Sequence, residues 1–321
     1  MKLGLYFDLR NPEPWASPWT TVYRDALNQI VRSEELGIDS VWFSEHHLFA
    51  DGYLPQPLTF AAAAAARTSR IRIGTAVLVA ALRPAVLVAE EAAIVDQISG
   101  GRLELGIGAG YSVPEYEIYA TDITKRYGLT DAAVAEIRRL LDNGIVTPPA
   151  AQNPFPIWLG YQGPQGARRA GRLGVGLLSL DRALLEPYRE GLIEGGHDTA
   201  LARTGGMMDI IVADDPESAF ERILPHYAHQ LNTYRAAAVA GTGRDTPREI
   251  TVEKLRSGVT NNGQIPGLRV LTPDDAVAAI RDATEGSPVE HVYLWASVAG
   301  MPADLVDRHI ELVCTRVRPS L

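Results

Sequence analysis

Short apolar runs alternate along most of the chain with longer stretches in which apolar residues recur every three or four positions. The runs are "KLGLYFD" (2–8), "DSVWFS" (39–44), "IRIGTAV" (71–77), "RLELGIG" (102–108), "IWLGY" (157–161), "GVGLLS" (174–179), "MMDIIVA" (207–213) and "HVYLWAS" (291–297). Each has the length of a strand, and each is nearly all apolar, as burial on both faces of a sheet requires. Helical periodicity fills the intervals. Val22, Ala26, Ile30 and Val31 share a face of 20–36, which stops before Gly37. Residues 57–69, 84–99 (opened by Pro84) and 130–142 repeat the pattern. Strands alternating with helices predict a parallel sheet. Eight such units in 321 residues fit a closed (β/α)8 TIM barrel, a single domain over residues 1–321, better than a doubly wound open sheet.

Two segments break the rhythm. Residues 143–156 are proline-rich and form an irregular crossing. Residues 241–270 are a long insertion before the last βα unit, with Gly241, Gly243, Gly258, Gly263 and Gly267 as pliable points, and are expected to act as a lid.

Composition narrows the partners. The net charge is −9, from 30 basic and 39 acidic residues, and no basic stretch offers a phosphate footprint, so nucleic acid is not expected. The lone cysteine, Cys314, lies within the apolar "HIELVCTRV" and reads as a buried thiol, and no disulfide can form within the chain. No apolar run reaches the roughly 18 residues that span a bilayer. The chain runs straight into "KLGLYF" without a leader, so a cytoplasmic protein with no membrane partner is expected.

Candidate chemistry concentrates after the second run, in "SEHHLFADGYLPQP" (44–57), where Glu45, His46 and His47 are adjacent. A barrel carries its chemistry at the strand ends, which is where these residues fall. A metal site is not expected. Adjacent side chains of an extended segment diverge, and "GAGY", "GYQG", "LLSL" and "WASV" at other strand ends supply no His, Glu or Cys. "GIGAGY" (106–111) and "GYQGPQG" (160–166) are glycine-rich loops after strands, a setting in which backbone N–H groups hold phosphate. Together they suggest a phosphorylated cofactor with a flat ring.

The segments "GIDSVWFSEHHLFADGYLPQPL", "RIRIGTAVLVAALRPAVLVAEEAAIVDQISGGRLELGIGAGY", "PFPIWLGYQGPQGARRAGRLG" and "VLTPDDAVAAIRDA…EHVYLW" resemble, in order and over about two thirds of the chain, the bacterial-luciferase-like flavin-dependent oxidoreductases. The resemblance implies a barrel that binds reduced FMN, or alternatively the deazaflavin coenzyme F420, at its C-terminal mouth. It implies monooxygenation of a small organic substrate with O2, or else hydride transfer. His46 matches the catalytic histidine, with His47 and Glu45 as supporting neighbours. After Thr75, Ala76 and Val77 match a bulge where a non-proline cis peptide backs the ring. Gly108, Ala109, Gly110 and Tyr111 match a second cofactor loop, and Gln162, Gly163, Pro164 and Gly166 the phosphate turn. Bacterial luciferase has a phosphate-binding arginine where this chain has Ala109, and a reactive cysteine where it has Gly108. Arg126 is the candidate replacement for the missing charge. A separate flavin reductase and a homo-oligomer, most simply a dimer, are the implied partners.

Overall fold

The structure is a computed structural model and describes residues 1–257 and 267–321. Its first half alternates as expected: β1 (Lys2–Phe7), α1 (Trp19–Glu35), β2 (Ser40–Phe43), α2 (Pro57–Arg67), β3 (Arg72–Thr75), a short β4 (Leu78–Val79), α3 (Ala85–Ser99) and β5 (Leu103–Gly108). There follow α4 (Val113–Ile118), α5 (Arg126–Asp142), β6 (Ile157–Leu159), α6 (Gly163–Arg172), β7 (Gly176–Leu178) and α7 (Leu185–Glu194). The last third holds β8 (Thr204–Met208), β9 (Ile210–Val212), α8 (Pro216–Ala237), α9 (Val252–Arg256), β10 (Arg269–Leu271), α10 (Pro273–Thr284), β11 (Val289–Trp295) and α11 (Ala303–Leu312).

Eight parallel strands run in the order β3-β2-β1-β11-β8-β7-β6-β5, and β5 pairs back with β3 to close the barrel. The register sets Tyr6 beside Trp42 and Trp295, and Phe7 beside Phe43. The strands therefore end level with one another, and the residues after them gather at one mouth. Inside, Trp42 stacks on Tyr293 with centroids 4.8 Å apart, and the edges of Trp42 and Trp158 meet His291. Glycine makes room for these indoles: a Cβ at Gly74 would lie 2.2 Å from Trp42, and one at Gly176 would lie 2.2 Å from Trp158. Glu104 accepts from Trp158 Nε1 at 2.8 Å; burial opposes its charge, but His291 and Arg72 hold its carboxyl down to about 2.

Two expectations need correction. The run 207–213 is not one strand: Thr204–Met208 belongs to the barrel, while Ile210–Val212 pairs with Arg269–Leu271 in a separate two-stranded sheet. Asp209 marks the break, and its Oδ1 accepts from Trp295 Nε1 at 2.7 Å. The run 71–77 likewise stops at Thr75 and resumes at Leu78. The insertion 241–270 holds α9 and the start of β10, and the Asn232 side chain of α8 holds the Ile250 backbone by two bonds of 2.9 Å. Residues 258–266 of the expected lid lie outside the described residues.

The small sheet is tied to the barrel through His309 of α11. Its Nδ1 accepts from Val212 N–H at 2.8 Å, and its Nε2–H donates to Trp295 O at 2.7 Å. Burial drives the imidazole pKa down to about 4, so it folds neutral. Because the folded value lies below the unfolded one, the associated stability is full above about pH 6.5 and is lost as the pH falls toward 4; a 2.5-unit difference is worth about 3 kcal/mol. Urea titrations across that window should show the decline. His309→Leu should be less stable at pH 7 and show a shallower decline, and an unchanged slope would remove His309 as its source.

Candidate functional site

A cavity of about 330 Å3 opens at the C-terminal ends of the strands. Of the expected residues, Glu45, His46, Ala76, Val77, Gly108, Ala109, Gly110, Tyr111 and Gln162 line it. A second cavity of about 450 Å3 adjoins it, sharing Tyr6, Ala76, Val77, Gly160 and Gln162. His47, Thr75, Gly163, Pro164, Gly166 and Arg126 line neither.

The wall between the two rooms is the segment after β3. The Ala76–Val77 peptide is cis, as the resemblance implied. Ala76 N–H donates to Phe43 O at 2.7 Å, and Thr75 Oγ1 donates to Gly106 O at 2.7 Å. Val77 then reaches between two glycines: a Cβ at Gly108 would lie 2.3 Å from its Cγ2, and one at Gly160 would lie 2.6 Å from its Cγ1. The glycines at these strand ends thus accommodate the bulge, a steric requirement distinct from phosphate binding.

The three adjacent polar residues have separate placements. Glu45 is fully buried; its Oε2 accepts from Val79 N–H at 2.9 Å, and its Oε1 meets His47 Nε2 at 2.8 Å and the Arg83 guanidinium. His46 turns the other way, its Nδ1 2.8 Å from Glu115 Oε1. That same oxygen accepts from His47 N–H at 3.0 Å. The imidazole that lines the cavity is therefore oriented by Glu115 of α4, not by Glu45 or His47. A carboxylate only accepts, which places the His46 proton on Nδ1. Its Nε2 has no hydrogen-bond partner among the described residues. The rings of Phe49, Tyr53 and Tyr111 stand within 4.8–5.2 Å of the imidazole centroid.

No lysine or arginine lines either cavity. Arg126 lies over the Tyr127 ring at 4.5 Å and donates to Ile123 O, with its buried Nε unpartnered; Tyr127 itself lines the smaller cavity. Gln162 precedes α6 in extended conformation, and Gly163 has φ 71° with open space at its Cβ position. Pro164 removes one of the first-turn N–H donors. Gly166 packs on Tyr161, where a Cβ would be 2.7 Å from Tyr161 Cβ. The ring end of a flavin-type cofactor fits the cavity: a backbone wall, seven ring-bearing lining residues and one unpaired imidazole nitrogen. For the phosphate end the candidates are Gln162, the Gly163 N–H and Arg126.

Sequence reading missed Glu115, Tyr6, Tyr53, Tyr127, Tyr161 and Tyr234, of which all but Glu115 line the smaller cavity. Glu115 lies in the first turn of α4, after β5, within "YSVPEYE", a setting indistinguishable from a solvated helix start.

A family model described as luciferase-like monooxygenase matches residues 1–291. The chain belongs to the luciferase-like monooxygenase family. Among curated members, the F420-dependent glucose-6-phosphate dehydrogenase of Amycolatopsis mediterranei is 30% identical over 210 residues, covering 58% of this chain and 62% of that protein. The chain spans from about half to two thirds of the length of the first such relatives. Two solved structures share the fold. Monooxygenase RslO1 from Streptomyces bottropensis has a TM-score of 0.76 at 24% identity, covering 99% of each chain. The oxygenating constituent of 3,6-diketocamphane monooxygenase from Pseudomonas putida, in complex with FMN, has a TM-score of 0.70 at 19% identity, covering 100% of this chain and 98% of that one. One curated relative is thus F420-dependent, and one structural neighbour holds FMN.

In this luciferase-like chain Glu45 and Glu115 should differ sharply under substitution. Glu45→Ala strands the buried Arg83 charge and the Val79 N–H, and should cost about 3–5 kcal/mol. Glu115→Ala frees His46 and the His47 N–H, and should cost about 1–3 kcal/mol. Chemical denaturation of both variants measures the difference, and a Glu45→Ala protein as stable as its parent would contradict the anchoring role.

Proposed function

We propose that this protein is a monooxygenase that uses reduced FMN and O2 on a small organic substrate. The observation that carries the reading is the His46 imidazole, fixed at Nδ1 by Glu115 and unpaired at Nε2, on the wall of a cavity backed by the Ala76–Val77 peptide. A bound reduced flavin supplies the two electrons and the O2 activation. The chain's own residues do the rest. His46 Nε2 accepts or returns a proton at the reacting group. Glu115 keeps the ring in one tautomer. Val77, Gly108 and Gly160 shape a backbone wall against a planar ring, and the aromatic lining excludes water.

The second reading is hydride transfer with the deazaflavin coenzyme F420, favoured by the 30% identity to an F420-dependent dehydrogenase. Two supporting partners belong to the proposal. One is a separate flavin reductase. The other is a second copy of the chain, for which the exposed Leu87, Ile94 and Ile98 on one face of α3 provide an apolar stripe. A cytoplasmic setting is part of the proposal; among the described residues no helix is long and apolar enough to cross a membrane.

Anaerobic titration with reduced FMN and reduced F420 separates the two readings: the first should bind at micromolar concentration and the second more weakly. The reverse order would transfer the proposal to F420. His46→Ala should lower turnover by about 10²–10⁴ while reduced-cofactor affinity changes less than about tenfold. His47→Ala, which touches Glu45 rather than the cavity, should lower it less. Parental turnover in His46→Ala would defeat the acid–base assignment.

A further inference from the structure

Three phenol hydroxyls meet at the edge of the smaller cavity. Tyr53 Oη lies 2.6 Å from Tyr234 Oη and 3.3 Å from Tyr6 Oη. The three come from distant elements: β1, the loop after β2, and α8. All three line the cavity with His46, and Ser44 adds a fourth hydroxyl to the same wall. An open chain of hydroxyls satisfies one fewer donor than it contains, so an O–H is left over. Among the described residues no carboxylate or backbone carbonyl accepts from any of the three phenols.

The setting biases this chain toward donation. The Arg10 guanidinium lies 5.3 Å from the Tyr53 ring and 5.2 Å from the Tyr234 ring, and Asp51 holds it through Nε at 2.8 Å. A cation against a phenol ring withdraws density from its oxygen and strengthens the O–H as a donor. Leu9, beside Arg10, is buried with φ 57°, a backbone conformation a non-glycine residue adopts only where its surroundings enforce it. Burial pushes Tyr6 up to about 12, and Tyr53 and Tyr234 also rise well above the ordinary phenol range, so all three keep their protons at neutral pH. Tyr111 stands beside the imidazole, and Tyr127 and Tyr161 line the same cavity.

We propose that the Tyr6–Tyr53–Tyr234 hydroxyl chain is the substrate-recognition element, and that it takes a carbonyl or phenolate oxygen carried on an aromatic ring system. The oxygen sits at the hydroxyls within reach of His46, and the Ala76–Val77 wall is left to the cofactor ring. The assignment rests on the redox reading of this site and names its substrate class: an oxygen-bearing aromatic compound.

The test uses 1-tetralone and tetralin, which share a shape and differ by the carbonyl oxygen. Calorimetry on the full-length protein should find tetralone bound about tenfold more tightly than tetralin. The double variant Tyr53→Phe/Tyr234→Phe should bring the ratio close to one while tetralin affinity stays within about twofold. Retained tetralin binding reports that the variant is folded; if it is lost, each single Tyr→Phe variant carries the same comparison. Equal binding in the parent, no binding of either compound, or a preference that survives in the variants overturns the proposal. So does a variant that loses reduced-FMN affinity and keeps its tetralone preference, since the hydroxyls would then serve the cofactor. Failure of both reduced FMN and reduced F420 to bind, with the tetralone preference intact, overturns the redox reading alone.

Discussion

The Glu45 carboxylate is the constraint on which the mouth of the barrel depends. It is fully buried, so it persists only with partners, and its partners come from both sides of the site. Val79 N–H and Arg83 lie beyond the bulge after β3, while His47 belongs to the loop after β2. One charge therefore fixes the backbone wall relative to the histidine loop. With Glu45 and His47 committed to each other, His46 is left as the imidazole on the cavity side.

The second constraint is Glu115, which takes hold of the same loop from α4 through His46 Nδ1 and His47 N–H. The two carboxylates bracket the His46–His47 pair and pull the rings apart. This accounts for adjacent histidines with separate duties: one rigidifies, and the other lines a cavity rich in phenols with one ring nitrogen unpaired.

Periodicity made the barrel legible because strands buried on both faces and helices buried on one leave unmistakable spacing. It misplaced the seventh barrel strand, where Gly205 and Gly206 weaken the apolar signal and Asp209 diverts the chain into a second sheet. The histidine loop could be read because its polar residues are local. Glu115 and Tyr234 could not, since they meet His46 and Tyr53 across 69 and 181 residues of chain and sit in unremarkable helical surroundings. The glycine-rich loops suggested phosphate, yet Gly108, Gly160 and Gly166 are glycine because Val77 and Tyr161 occupy the space a side chain would need. Composition cannot distinguish these two reasons for a glycine.

Glu115 locks His46 into the tautomer with its proton on Nδ1 and an unpaired Nε2. Nitrogen-15 NMR of the imidazoles tests this most directly, with His46→Gln used to assign the signals. The neutral His46 imidazole should carry its proton on Nδ1 and none on Nε2, with only the Nε2 resonance moving strongly when reduced FMN is added. A proton on Nε2 in the parent protein, or a His46 spectrum indifferent to reduced FMN and reduced F420 alike, would contradict it.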